Sequence, residues 1–309
     1  MSRLESSQAS GLHQQLPASH LLLALAIVAV WGTNFVVIKN SLASLPPFYF
    51  ATLRYLFVLL PLVFFLPRPK VAWGNLCIYG LATGVGQFGV MYYAVNSQIS
   101  PGLASLVVQT QVFFTIGFAM LFAKESLKRY QAVAVGIALL GLVIIALHTD
   151  STTTFFGLAL VVFAGLSWGI ANTVSRQAGS INMLSYVVWA SAFSIPPLLL
   201  IALIFEGGAA HLWDVTLTAP LGAWIGVLWQ SWANTLFGYA AWGWLLSKHP
   251  AALVAPAPLL VPIFGMGASA YFLGEALPPW KVEAATLVIA GLVINLFWPT
   301  LREQSRKIF

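Results

Sequence analysis

Long apolar runs follow one another along this chain and leave few residues for any other structure. Each run holds close to the 20 or so apolar residues that a helix needs to cross a bilayer. The runs are continuous and do not alternate in hydrophobicity, which excludes a transmembrane β-barrel. We predict membrane helices over 20–40, 48–66, 73–95, 102–123, 130–147, 155–175, 184–205, 220–246, 251–273 and 280–299.

The composition leads to the same class of protein. Hydrophobic residues make up 60% of the 309 residues and charged residues only 7%, against about 25% charged in a soluble domain. A soluble enzyme and a disordered chain are therefore excluded. The net charge of +6 is dispersed between apolar runs, so it does not form a nucleic-acid surface. The partners expected are the lipid bilayer and a small-molecule substrate, with no nucleic acid; the sequence leaves the oligomeric state open.

Basic residues predict the orientation of the bundle. If the N-terminus is cytoplasmic and the chain crosses ten times, eleven of the fourteen Lys and Arg residues lie inside. Lys39 and Lys281 then lie outside, and Arg54 lies within the second segment. The positive-inside rule therefore predicts that both termini are cytoplasmic. They form polar tails over 1–19 and 300–309.

The second half of the sequence repeats features of the first. Three matches keep their order along the chain: Trp31-Gly32 with Trp168-Gly169, Glu125 with Glu275, and Gly141–Ile144 with Gly291–Ile294. We predict two five-helix repeats, 20–147 and 155–299, with one longer loop around 206–219 in the second. An odd number of crossings inverts the second repeat relative to the first. Inverted repeats are typical of secondary transporters, whose substrate site lies between the halves near the midplane.

Motifs for catalysis or ATP hydrolysis are missing from the sequence. No phosphate-binding loop and no His-Glu-x-x-His zinc motif occurs, and Cys77 is the single cysteine. The Gly165–Gly169 stretch fits a nucleophile-elbow pattern but lies in an apolar run with no central histidine. We interpret Gly165 and Gly169 as helix-packing residues. We therefore expect no enzyme, no catalytic residue, no metal and no cofactor, and the absence of mid-span acids argues against proton coupling.

Polar residues inside the apolar runs are the candidates for a substrate site. Arg54 is costly in a bilayer and should face the bundle interior, where it binds substrate or bonds to neighbouring helices. Lys39 binds substrate or extends to the membrane surface. Amides contribute interhelical hydrogen bonds of about 0.6 kcal/mol each, but together with tryptophans they suggest a wet, aromatic cavity. The predicted cavity residues are Trp31, Asn34, Lys39, Arg54, Gln87, Gln109, Trp168, Asn172, Gln230 and Asn234.

Three further features are interpreted from their positions. Gln111 is predicted to point away from the face that carries Gln109. Glu125 and Glu275 are interpreted as structural contacts to the N-terminus of the following helix. The prolines of the ninth segment predict a bend there that the first repeat lacks; they are Pro256, Pro258 and Pro262.

Several of these motifs together carry a resemblance to a known family. They are Trp31-Gly32-Thr33-Asn34-Phe35 with Lys39, Pro46-Pro47 followed by Leu53-Arg54-Tyr55, the stretch 100–116, and Glu125 and Glu275 with their trailing leucines. Over roughly 20–298 the chain resembles the EamA-type family of the drug/metabolite transporter (DMT) superfamily. The resemblance implies an all-α integral membrane protein with ten transmembrane helices in two inverted five-helix repeats around a central cavity, in a bacterial inner (plasma) membrane.

The sequence then predicts a secondary transporter that exports small metabolites by alternating access without ATP hydrolysis. The resemblance implies amino acids or cysteine-pathway derivatives as the expected cargo. A zwitterion needs a cation for its carboxylate, which Arg54 and Lys39 can supply, and aromatic faces or acceptors for its ammonium. The alternatives are a broad drug or sugar-derivative exporter, a membrane-embedded enzyme, and a membrane protein without transport activity.

Overall fold

The computed structural model describes residues 16–123, 128–149, 152–249, 254 and 257–308, and their side chains except at 123 and 299–308. Predictions for most of the N-terminal tail, for Glu125 and for Pro256 lie outside the described residues. The helices are α1 (Ala18–Ser41), α2 (Pro47–Leu59), α3 (73–97), α4 (101–123), α5 (Arg129–Leu147), α6 (Phe155–Gln177), α7 (Met183–Phe205), α8 (Gly208–Thr218), α9 (Leu221–Lys248), α10 (Ala257–Leu273) and α11 (Pro279–Ile308).

Seven helices of the described chain are long and apolar enough to cross a membrane, and these are α1, α2 with the turn that follows it, α4, α5, α6, α7 and α11. The pair α8–α9, bent by 100°, would make an eighth. The predicted loop around 206–219 is therefore partly wrong, because most of it is α8. Gly207, in the left-handed region at φ 88°, separates α7 from α8, and Pro220 separates α8 from α9.

Local sequence explains where the helices begin and end. Pro47 and Pro101 occupy first-turn positions, where the missing N–H costs nothing. The Thr154 hydroxyl accepts a hydrogen bond from the Gly157 amide, and Asn182 does the same for Ser185, so both are side-chain N-caps. The predicted tail 300–309 is helical up to Ile308, because its leucine, arginine, glutamate and glutamine favour the helix.

Two helices of the described chain contain a π-helical segment. In α3 it spans Ala82–Gly89, and in α9 it spans Trp229–Phe237. π-helical turns are rare and are found frequently at functional sites. A Phe-Gly pair lies at the end of each segment, at 88–89 and at 237–238. This geometry brings together groups that are five residues apart. The Thr235 hydroxyl, for example, donates a hydrogen bond to the backbone carbonyl of Gln230 at 2.8 Å.

Small residues allow the helices to pack closely. A Cβ on Gly165 would lie 2.5 Å from the Thr110 hydroxyl, and one on Gly169 would lie 2.8 Å from Phe114 Cβ. The prediction that this pair packs α6 against a neighbour, α4, is therefore confirmed. Gly32 allows α1 an equally close approach to α10. These contacts bring the helices close together around a central cavity.

Candidate functional site

A cavity of about 540 Å³ lies inside the bundle, within the size range of small-molecule sites. Its inner part is lined by Asn34, Arg54 and Gln87. It reaches the end of the bundle where α6 and α9 end and α7 and α10 begin, since Met183 and Leu246 also line it. Of the residues that the structure describes, Arg54 is the only charged one on the cavity wall.

Arg54 is held by neutral partners from two other helices. Its Nη1 donates to the Tyr92 hydroxyl at 2.9 Å and to Gln230 Oε1 at 3.0 Å, and its Nη2 donates to the Thr235 hydroxyl at 2.8 Å. The guanidinium carbon lies 3.5 Å from the centroid of the Phe88 ring, a cation–π contact. Arg54 is 1% exposed. The described chain therefore solvates this charge without neutralising it.

Gln230 connects Arg54 to α1. Its Oε1 also accepts from the Tyr92 hydroxyl at 2.8 Å, and its Nε2 donates to Asn34 Oδ1 at 2.6 Å. Gln230 is fully buried and is absent from the cavity wall. Its predicted place on the cavity is therefore wrong. The π-helical turn directs both Gln230 and Thr235 at Arg54, which an α-helical projection of the sequence does not reveal.

Tryptophan and tyrosine rings form one side of the cavity. The Trp31 ring centroid lies 5.7 Å from that of Trp242 and 6.1 Å from that of Tyr239, both on α9. The Trp31 indole donates a hydrogen bond to the backbone carbonyl of Asn234 at 3.1 Å. Trp168 of α6 lines the cavity as well. Such rings can pack against an apolar side chain or against a cation.

The amides of α4 and α6 line another part of the wall. Asn172 Nδ2 donates to Gln111 Oε1 at 2.7 Å, and Gln109 Nε2 donates to the Pro258 carbonyl at 3.2 Å. Both Gln109 and Gln111 line the cavity, so the prediction that Gln111 points elsewhere is wrong. The tighter 3₁₀ turn over Val108–Thr110 is the reason, because it changes the angle between side chains two residues apart from that of an α-helix.

Lys39 does not reach the cavity. Its Nζ donates to the backbone carbonyls of Val95 at 3.1 Å and Asn96 at 2.7 Å, at the C-terminal end of α3. A lysine there satisfies carbonyls that lack a partner in the helix. The structure thus brings eight of the ten predicted residues to the cavity wall and leaves Lys39 and Gln230 off it.

Two carboxylates hold helix ends at the end of the bundle that carries Lys39. Glu206 accepts from the amides of Phe48 at 2.8 Å and Tyr49 at 2.9 Å, at the start of α2. Burial raises the pKa of the Glu206 carboxyl, and the two amide hydrogen bonds oppose that rise. Glu275 accepts from the Gly102 amide at 2.9 Å at the start of α4.

Glu275 also pairs with a lysine of the helix that follows it. The Lys281 ammonium lies 2.9 Å from Glu275 Oε1. The prediction of a contact to the following helix is therefore correct in part, because the N-terminus that Glu275 caps belongs to α4 and not to α11. Chain order indicates which helix comes next, but only packing decides which helix end lies within reach.

Sequence reasoning missed the residues that complete the site around Arg54. Tyr92 and Thr235 accept its hydrogen bonds, and Phe88 covers one face of the guanidinium. Phe88 and Tyr92 are four residues apart on α3, and both contact Arg54. That spacing places them on one face, a signal that was available in the sequence.

The apolar helices of the described chain enclose a largely apolar, aromatic-lined cavity that carries a few amides and one cation, and this arrangement is that of a multi-pass membrane transporter. The chain belongs to the EamA-like transporter family, whose model matches residues 18–147 and 155–297. It is 36% identical to a Salmonella typhimurium protein named "Probable amino-acid metabolite efflux pump", over 92% of this chain and 97% of that protein. An Escherichia coli K12 protein of the same name is 34% identical, over 89% and 94%.

The fold also has a counterpart among solved structures. A crystal structure with 14% sequence identity superimposes with a TM-score of 0.59, over 91% of this chain and 97% of that one. The family and the named relatives identify this protein as a membrane efflux transporter.

Proposed function

We propose that this transporter exports amino acids or closely related metabolites, including cysteine-pathway derivatives, by alternating access and without ATP hydrolysis. The observation that carries the proposal is Arg54, a buried cation on the cavity wall whose described hydrogen-bond partners are all neutral. A buried charge without a counter-ion is costly. The carboxylate of an amino acid supplies that counter-ion, and the aromatic wall accommodates its side chain.

We further propose that the fold consists of ten membrane helices in two inverted five-helix repeats. Helices lie in each of the ten predicted segments. A reciprocal contact supports the inversion. Gly141 of α5 packs on Ala284 and Val288 of α11, while Gly291 of α11 packs on Ala134 and Ala138 of α5. Each of the two matched glycines thus packs on the same part of the other helix in an antiparallel pair. This reciprocity is what a two-fold axis in the membrane plane would produce.

The proposed direction follows from charge at the two ends of the bundle. Arg176 and Lys248 lie at the end that the cavity reaches, and Lys39 and Lys281 lie at the other. By the positive-inside rule the cavity then opens to the cytoplasm of a bacterial inner membrane, with both termini on that side. Contacts of Lys39, Glu206 and Glu275 join helix ends at the opposite end of the bundle, which supports a closed outer side.

The test is efflux from proteoliposomes that contain the purified protein. Vesicles loaded with labelled L-cysteine or O-acetylserine should release the label faster than protein-free vesicles. A sugar phosphate and an aromatic cationic dye, loaded in parallel, test the alternative of a broad exporter. Release of the dye or the sugar but of neither amino acid would contradict the proposal.

A further inference from the structure

Two buried side-chain atoms that belong to residues lining the cavity lack the partners that buried polar atoms normally have. Among the described residues that line the cavity, Arg54 Nε and Gln87 Oε1 are the buried side-chain atoms without a hydrogen-bond partner. One is a cationic donor and the other is a neutral acceptor. Leaving such atoms unpaired costs free energy, and a ligand that offers both an acceptor and a donor recovers it.

Gln87 is unusual for a buried glutamine. It is 2% exposed, and within the described chain its side-chain oxygen accepts no hydrogen bond. Two other amides of the cavity wall are engaged within the protein, since Asn34 Oδ1 accepts from Gln230 and Gln111 Oε1 accepts from Asn172. The terminal torsion of a glutamine is soft, so the Gln87 amide can turn its oxygen toward the cavity.

The backbone that carries Gln87 is fixed by close packing. Gln87 lies in the π-helical segment of α3. A Cβ on the preceding residue, Gly86, would lie 2.5 Å from the Ser167 hydroxyl of α6, and Gly84 packs equally closely on Ser194 of α7. The segment is thus held against two helices while the Gln87 oxygen has no partner in the described chain. This arrangement is suited to a ligand contact and not to helix-helix bonding.

We propose that Gln87 is a specificity-determining residue that accepts a hydrogen bond from the ammonium group of the substrate. The inference rests on the proposed export of amino acids, in which Arg54 binds the carboxylate. The two unpaired atoms together select a zwitterion over a molecule that has only one of its two charged groups. The ligand class is therefore an amino acid with a free amine.

The experiment measures binding to the purified protein in nanodiscs. Labelled L-cysteine is competed with 3-mercaptopropionate, which lacks the amine, and with cysteamine, which lacks the carboxylate. Gln87→Leu should weaken the binding of L-cysteine about tenfold, which is the loss of affinity typical of removing a hydrogen bond to a charged group. It should leave 3-mercaptopropionate unchanged. Gln177→Leu, at an exposed glutamine of α6, is the matched control and should change neither.

A second variant keeps the test decisive if Gln87→Leu does not fold. Gln87→Glu retains the acceptor and adds a negative charge, so it should bind cysteamine more tightly than wild type does. Two results would overturn the assignment of Gln87 without contradicting the proposed export. One is an equal loss of affinity for L-cysteine and 3-mercaptopropionate in Gln87→Leu. The other is unchanged affinity for cysteamine in Gln87→Glu. Wild-type vesicles that release no labelled amino acid would overturn the proposed function, and this inference with it.

Discussion

At the level of single residues, Arg54 is the one charged side chain of the described chain on the cavity wall. Its charge is buried among Tyr92, Gln230, Thr235 and Phe88. The same contacts would serve a structural role, in which Arg54 joins α2 to α3 and α9. The two roles differ in what a substitution does to folding and to transport, so they can be separated.

Arg54→Lys keeps the charge but loses the planar fork that suits a carboxylate. If Arg54 binds substrate, the variant should lose amino-acid efflux while its melting temperature in detergent stays near that of wild type. Arg54→Ala should abolish efflux of carboxylate cargo and spare a neutral aromatic cargo. Arg129→Lys, at an exposed arginine of α5, is the matched control.

The structural role predicts a different pattern for the same variants. Removing Arg54 would leave buried polar groups of its partners unpaired, at about 1–3 kcal/mol each. The protein would then fail to accumulate in the membrane, whatever the cargo. Normal folding together with normal amino-acid efflux in Arg54→Ala would end the substrate role.

At the scale of helices, close approach through glycine determines how α5 meets α11. A Cβ on Gly141 would lie 2.8 Å from the Ala284 carbonyl oxygen and 2.8 Å from Val288 Cγ2. Gly136 lies earlier on the same helix, and a Cβ added there would meet no atom of the described chain within 4 Å. The two glycines therefore differ in packing but share the same helix.

Gly141→Val should destabilise the protein by about 1–3 kcal/mol, because the added methyl groups overpack the α5–α11 contact. Gly136→Val makes the same change in helix propensity without overpacking a neighbour, so it should change the free energy of unfolding little. The measurement is thermal unfolding of both variants in the same detergent. A similar loss in both would mean that the effect comes from propensity and not from packing between the two helices.

At the scale of the whole molecule, the orientation of the bundle can be tested directly. In a Cys77→Ala background, Ser180→Cys lies between α6 and α7 and Ala210→Cys lies on α8, both at exposed positions. An impermeant maleimide should label position 210 from outside the cell and position 180 only after the membrane is opened. Labelling of both from the same side would contradict the proposed topology.

Energy coupling is the second property of the whole molecule. Among the described residues, no Asp, Glu or His lines the cavity, and relays in proton-driven transporters use such groups. Downhill efflux from loaded proteoliposomes should therefore persist at a similar rate after a protonophore is added. A large loss of rate at constant internal pH would show that an acid near a helix end, such as Glu283, carries protons.

The membrane class, most of the apolar helices and the family can be predicted from the amino-acid sequence alone. These follow from local properties, since the length and hydropathy of a run decide whether it can cross a bilayer. Six of the eight polar candidates, and both tryptophans, line the cavity, because a polar side chain in a membrane helix is driven toward the bundle interior.

Which polar groups pair with one another depends on the packing of the helices. Gln230 and Lys39 were predicted to face the cavity, yet one completes the Arg54 network and the other bonds to the end of α3. Gln87, which has the same residue type as Gln230, keeps an oxygen without a partner in the described chain. The physical reason is that a hydrogen bond depends on distances of about 3 Å between different helices. The helical periodicity of one segment does not contain that information, and the π-helical turns of α3 and α9 alter the periodicity itself.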